Sequence, residues 1–457
     1  MAPHFAPAIP TRLSMWQRVR EYAVPPSMIE TATARRLAGD WAGACAAARV
    51  DVDLDLRAVR TRHGTDLASR LRADLRRLAP DLLRWHMPRI APDGRLRPGL
   101  TLALAHYPGG LRLVVRTPPA RADAGQRMSL SLWEESGDGP SRGRHPHPHP
   151  HPHPDRRFRL DLHRHLWDAG RSGELGRRYG RGDDSDSPWA SRSWAAEAEL
   201  LLRAEGLGPR GAFTVRLGAR DRAVLELVAP DDSHVPGVRP LSLPAGDVAA
   251  LPVLPEAAAR VLPDRELLRA GLITADRLHP LVAAALPVSG PASPPVPETG
   301  DPYRVECRGE AHRIALRDGV LTAVDHDPAE VRREELLVAL GGPALPCLRA
   351  IDAVHRSPEQ LPAVRERLRH GDVAGALTVV EGLLGPGAVL REGPLREELE
   401  TAAARRVEHG LFRSGLVPVS PVSADADAGA RRVGRRTPRH AHPKRGKNSR
   451  PRTGLFY

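Results

Sequence analysis

Residues 361–384, LPAVRERLRHGDVAGALTVVEGLL, carry the clearest hydrophobic pattern in the chain. Leu361, Val364 and Leu368 recur at i, i+3 and i+7, one face of a first helix. Gly371 is the residue type that ends a helix through the left-handed conformation, and Asp372 can cap the next one. Val373, Ala376, Leu377 and Val380 then share one face of a second helix. The same wording occurs far upstream in RRLAGDWAGACAAA, with Gly39-Asp40 at the turn and Trp41, Ala44, Cys45 and Ala48 in the equivalent phases. Both stretches read as helix-packing devices and not as ligand sites.

The pattern elsewhere divides the chain. Residues 13–87 are helical in period, and Leu67, Leu71, Leu75 and Leu78 form one helical stripe. Past Asp93-Gly94 the period changes to two. Leu100, Leu102 and Leu104 alternate, a Pro108-Gly109-Gly110 turn follows, and Leu111, Leu113 and Val115 alternate again. Leu130 and Leu132 suggest a third strand, and RFRLDLH at 157–163 a further one. A helix is expected over 194–204, strands over 213–217 and 223–228, and helix over 264–286 with a break near Gly271. A hairpin over 312–316 and 320–324 turns at Asp318-Gly319. Asp327-Pro328-Ala329-Glu330 opens a helix with a cap, a proline at its first position and an acid in its first turn. The expected class is α+β, with helical blocks at both ends of the ordered chain, short antiparallel β-hairpins between, and disordered linkers and tail.

The domain reading follows from the spacers. Residues 1–89 form an N-terminal helical region, and 90–168 a β-hairpin region interrupted by a His-Pro spacer at 134–156. A flexible linker at 169–192 leads to an α/β segment at 193–286. Six prolines in 287–302 mark a second linker, followed by a hairpin-plus-helix domain at 303–414 and a basic tail at 415–457. All seven tryptophans lie at or before Trp194, which suits two unlike halves.

Charge changes little once it is located. The net charge is +13, but residues 431–457 hold ten Lys and Arg and no acid, leaving +3 on the preceding 430 residues. The body therefore lacks the basic excess of a nucleic-acid-binding face. Only two of the 68 basic residues are Lys, a bias that GC-rich coding DNA produces. Cys45, Cys307 and Cys347 are far apart, odd in number and in no C-x-x-C pair, which speaks against a disulfide framework or zinc module and for a reducing, cytoplasmic compartment. The N-terminus lacks a signal-peptide pattern, and no run approaches the length of a membrane span.

Several signals could carry chemistry. His145, His147, His149, His151 and His153 alternate with proline. In polyproline II, with three residues per turn, neighbouring histidines point in different directions, so the tract offers only weak metal binding. His163 and His165 are expected on one face of a surface strand. Asp51, Asp53 and Asp55 imitate the start of a calcium loop, but Leu56 replaces the needed glycine and Arg62 the closing glutamate. They read as an acid-rich helix start. Cys307 with His312, or Cys347 with His355, could pair nucleophile and base, although His355 lies about 12 Å along a helix from Cys347. Asp325-His326-Asp327 is a cluster of acid and imidazole in which Asp327 already has a capping role. In the tail, Arg431, Arg432, Arg435, Arg436, Lys444, Arg445 and Lys447 would attract phosphate backbones nonspecifically. No P-loop, dinucleotide fingerprint, nucleophile elbow or H-E-x-x-H is present.

The Gly-Asp hairpin, with small residues at the close approach of its helices, resembles a tetratricopeptide-like helix pair. A stacked array needs roughly three or more neighbouring units. The two copies are far apart, and the echo AGDVAAL at Asp247 is flanked by Pro244 and Pro252, which exclude the same two helices. The Arg/Ala/Pro bias with the stretches WAGACAAA and LVALGGPALPCLRAID resembles uncharacterised proteins of high-GC actinobacteria, a resemblance that implies no activity. The leading expectation is a non-enzymatic interaction or adaptor protein with an unknown protein partner, no cofactor and no membrane association. The alternatives are nucleic-acid association through the tail and an enzyme of unrecognised type, the latter favoured if Asp325, His326 and Cys307 converge.

Overall fold

In the computed structural model, which describes residues 10–123, 125–134, 153–179, 187–208, 210–219, 221–228, 236–286 and 304–416, both Gly-Asp turns form. The first joins helices Pro26–Leu37 and Trp41–Ala47, the second Leu361–Arg369 and Val373–Leu384. Gly39 and Gly371 sit at φ +80° and +78°, the left-handed region that glycine enters without cost. Asp40 and Asp372 accept from the backbone N–H of Gly43 and Gly375, satisfying donors that a helix start leaves open. Leu361, Val364, Leu368, Ala376 and Val380 are buried as the periodicity predicts. Leu377 is not. The inner face of its helix runs through Ala376, Val380 and Leu384, and Leu377, one residue round from Ala376, is 41% exposed.

The fold is α+β, with helices at both ends and small sheets between. The predicted hairpin becomes Thr101–Tyr107 and Leu111–Arg116, and Met128–Glu134 is the third strand. A fourth strand, Val50–Asp53, adds in parallel to Met128–Glu134. This corrects the expectation of an acid-rich helix start. Val50 is buried while Asp51 and Asp53 meet arginines, Arg127 at 2.5 Å and Arg413 at 2.5 Å. Only Asp55 caps a helix, Leu56–His63, by accepting from the N–H groups of Arg57 and Ala58.

A second correction concerns 157–163. This stretch is turned chain touching the sheet through one bridge, Ala103 to Arg159. His163 and His165 are 1% and 0% exposed, not surface strand residues. His163 Nδ1 lies 2.9 Å from the Arg159 carbonyl, and its Nε2 lies 3.2 Å from Glu197. Arg178 donates to His165 Nδ1 at 3.1 Å, and burial pushes that imidazole far below its ordinary range. Both rings are core histidines whose Nδ1 atoms have local hydrogen-bond partners, while neither Nε2 makes a hydrogen bond.

Three large apolar clusters hold most of these elements. The largest packs Leu71, Leu75, Leu82, Leu83 and Trp85 against Leu102, Leu104, Leu113 and Val115 of the sheet, and closes with Trp167, Leu262 and Val282. A second places helix Trp194–Ala204 on the sheet Gly211–Arg216, Arg222–Val228 and Gly237–Pro240. The third packs Ile314 and Leu321 against Ile351, Val364, Leu368 and Val380. Each large aliphatic side chain so buried contributes roughly 1.5–3 kcal/mol.

The third cluster meets the first at the Gly371 turn. Arg49 donates to the His370 carbonyl at 2.8 Å and to Asp372 at 3.1 Å, and the His370 ring stacks on Tyr22 at 6.3 Å. His370 is fully buried, and burial with the nearby Arg89 and Arg84 holds its pKa at about 3. The unfolded chain takes up this proton near the ordinary value of about 6.5, while the folded chain resists until far lower. Stability is therefore lost as pH falls from about 6.5 toward 3. The melting temperature should drop on acidification across this range, and more gently in His370→Phe. Parallel slopes for the two proteins in calorimetric scans at stepped pH would show that His370 takes up its proton as readily folded as unfolded.

Candidate metal centre

The C-terminal sheet starts with a strand the sequence patterns missed, Arg304–Cys307, which pairs antiparallel with Glu310–Arg317. Val320–Ala323 completes it. Asp318 and Gly319, at φ +52° and +78°, supply the left-handed pair that a two-residue hairpin turn requires. The register sets Val305 opposite His312 and Ile314 opposite Ala323. Side chains alternate along a strand and match across a pair, so Val305, Cys307, His312, Ile314 and Ala323 lie on one face. Helix Pro346–Arg356 packs on that face and brings Cys347 from its first turn. Cys307, Ala323 and Cys347 form a small buried cluster, flanked by Val305 and Leu345.

His326 reaches this cluster because its neighbours are held elsewhere. Asp325 accepts from the backbone N–H of Arg313 at 2.9 Å, and Asp327 caps helix Pro328–Ala339 by accepting from Ala329 at 2.9 Å. Between these two fixed carboxylates His326 is half-buried, with Nε2 3.3 Å from Cys347 Sγ. Its ring stacks on His312 with centroids 3.9 Å apart and planes 16° from parallel. The ligand atoms of Cys307, His326 and Cys347 all lie within 4.8 Å of one another. Cys307 and Cys347 are 0% and 3% exposed.

This environment disfavours free thiolate. Burial, the neighbouring Cys307 and Glu334 push the Cys347 thiol up to about 12. A thiol so raised is a poor nucleophile at neutral pH, which argues against pairing Cys347 with His355 as nucleophile and base. Two sulfurs and one imidazole nitrogen are instead a donor set suited to Zn²⁺ or Cu(I).

The other sequence candidates fall in different places. Cys307 and His326 converge, but Asp325 does not join them, and the third member is Cys347. His355 lies in the last turn of the helix that Cys347 begins. Asp51, Asp53 and Asp55 are each engaged by arginine or backbone, leaving no carboxylate set for calcium. His153 packs edge-on against Trp133 at 5.9 Å. His145, His147, His149 and His151, the 287–302 linker, and Arg431, Arg432, Arg435, Arg436, Lys444, Arg445 and Lys447 lie outside the described residues.

Helix Pro328–Ala339 follows His326 directly and has no buried residue. Leu336, Leu337 and Leu340 are 61%, 53% and 86% exposed. They stand at i, i+1 and i+4, so they form one apolar ridge at the end of the helix. Arg308 contacts Glu334 at 3.0 Å and ties the middle of the helix to the sheet. Among the described residues no helix is long and apolar enough to cross a membrane. Comparison of the chain with protein-family models, with curated proteins and with solved structures gave no match.

Proposed function

We propose that this chain is a non-enzymatic interaction protein that presents helix Pro328–Ala339 to a partner protein. The observation that carries this reading is the ridge of Leu336, Leu337 and Leu340 at the end of a helix with no fully buried residue. A helix of a folded domain ordinarily buries one apolar stripe, and contiguous exposed apolar surface marks a place of association. Arg332, Arg333 and Glu335 are exposed on the same helix and supply the polar rim that such a contact needs. Three free, buried cysteines support a reducing, cytoplasmic setting.

Leu336→Asp with Leu340→Asp tests the reading. Both positions are exposed, so folding stability should stay within about 0.5 kcal/mol. A stoichiometric partner that co-purifies with the intact protein should be lost from the double variant. Retention of the same partner by both proteins would remove this helix from the contact.

A further inference from the structure

We propose that Cys307, His326 and Cys347 form a Zn²⁺ site that fastens helix Pro346–Arg356 to strand Arg304–Cys307 and to the start of helix Pro328–Ala339. The site is independent of the proposed partner contact. In tetrahedral zinc coordination, bond lengths of about 2.3 Å to sulfur and 2.0–2.1 Å to nitrogen place neighbouring ligand atoms about 3.6–3.8 Å apart. The three ligand atoms already lie within 4.8 Å of one another, and the His326–Cys347 edge is 3.3 Å.

The surroundings favour a cation. Two buried sulfurs and an imidazole nitrogen stand together, with Glu334 adding negative potential beside them. A divalent ion is held by such a set as thiolates, whose protons are released on binding. Arg308 pairs with Glu334 at 3.0 Å, so the acid is held at the edge of the site. Asp325 and Asp327 fix the backbone on either side of His326, and the His312 ring, stacked at 3.9 Å, limits rotation of the imidazole. Such supporting contacts orient metal-binding imidazoles generally. The three residues supply two sulfurs and one nitrogen of a four-coordinate set.

The elements joined explain why a metal is useful there. The Cys307–Ala323–Cys347 cluster is small, and helix Pro328–Ala339 has no fully buried residue. Apolar packing alone gives this corner little hold. One ion tied to a strand, a loop and a helix restrains all three at once.

The test uses the full chain. Metal analysis of protein purified without added chelator should find about one equivalent of zinc that disappears in Cys307→Ser and Cys347→Ser and falls in His326→Ala. Zinc on the His-Pro tract would be unaffected by these changes. Replacement by Co²⁺ should give a thiolate-to-cobalt charge-transfer band, which histidines 145–153 cannot produce, and Cys45→Ser should retain it. In the unaltered protein, titration with an organomercurial should release about one zinc to a metallochromic dye, a measurement that needs no variant to fold. Absence of the cobalt band from the unaltered protein, its persistence when both cysteines are replaced, copper in place of zinc, or a Cys307–Cys347 disulfide in the purified protein would each overturn the assignment.

Discussion

Replacing Gly371 by valine should cost about 3–5 kcal/mol, while the same change at Gly39 should cost only about 1–2 kcal/mol. The two glycines share a sequence context, a helix-ending role and nearly the same φ, +78° and +80°. Both substitutions therefore meet the same penalty for a side chain in the left-handed region, which is heavier for a β-branched residue. The difference lies in what faces the new Cβ. At Gly39 nothing lies within 4 Å. At Gly371 the carbonyl oxygen of Gly125 would be 2.5 Å away and Arg49 Nη1 3.4 Å away. A backbone carbonyl cannot swing aside, so the turn must withdraw and stretch the hydrogen bonds from Arg49 to the His370 carbonyl and to Asp372. Denaturant titration of the two variants beside the unaltered protein measures the gap. Equal losses would show that the turn does not sit against Gly125.

The hairpins were legible in sequence because everything that specifies them is local. Period, turn glycine and capping aspartate lie within a few residues of one another, and Asp372 and Asp40 cap as their positions imply. Asp327 and the Asp318-Gly319 turn were legible for the same reason. Strand Val50–Asp53 was not. Its alternation spans four residues, its acids suggest a helix cap, and its identity comes from parallel pairing with Met128–Ser131. Segment 157–163 failed in the opposite direction. Its alternation is clear, yet Arg159 and Asp161 pair with each other at 2.8 Å and no strand lies alongside beyond one bridge.

The candidate metal centre shows the same limit. Cys307, His326 and Cys347 were each visible, and Cys307 was set beside His326, but with Asp325 in the place that Cys347 takes. Cysteine spacing is informative when both ligands come from one tight turn. Here one comes from a strand, one from the loop after a hairpin and one from the first turn of a helix. The register that puts Cys307 on the face covered by that helix depends on strand Arg304–Cys307, which has only four residues after a proline-rich run. No local pattern could report it.

Removal of the Asp264 carboxylate should be the most damaging single truncation in the N-terminal core, at about 3–5 kcal/mol. Asp264 is 0% exposed and accepts from Arg20 twice, Nε at 2.9 Å and Nη2 at 2.7 Å, and from Trp85 Nε1 at 3.0 Å. Arg20 also donates to the Trp85 carbonyl at 2.7 Å, and its guanidinium lies 4.1 Å from the Trp85 ring centroid. Burial lowers the pKa of Arg20, and Asp264 opposes that shift. Asp264→Ala leaves a buried guanidinium without its counter-charge and an indole N–H without its acceptor. It also frees helix Thr11–Arg18 and the turn after it from helix Pro263–Arg269, where Arg12–Glu266 at 2.5 Å is a second, more exposed tie. That single part-buried contact does not replace the bidentate pair and the indole acceptor that Asp264 supplies. Arg20→Met combined with Asp264→Leu removes both charges and keeps apolar volume, so most of the loss should be recovered, less about 1 kcal/mol for the unpaired indole. The diagnostic result is the ordering in thermal or urea unfolding. Asp264→Ala should be less stable than the double variant. If the double variant is the weaker of the two, the pair contributes net stability beyond the cost of burying its charges, and the expected recovery is wrong.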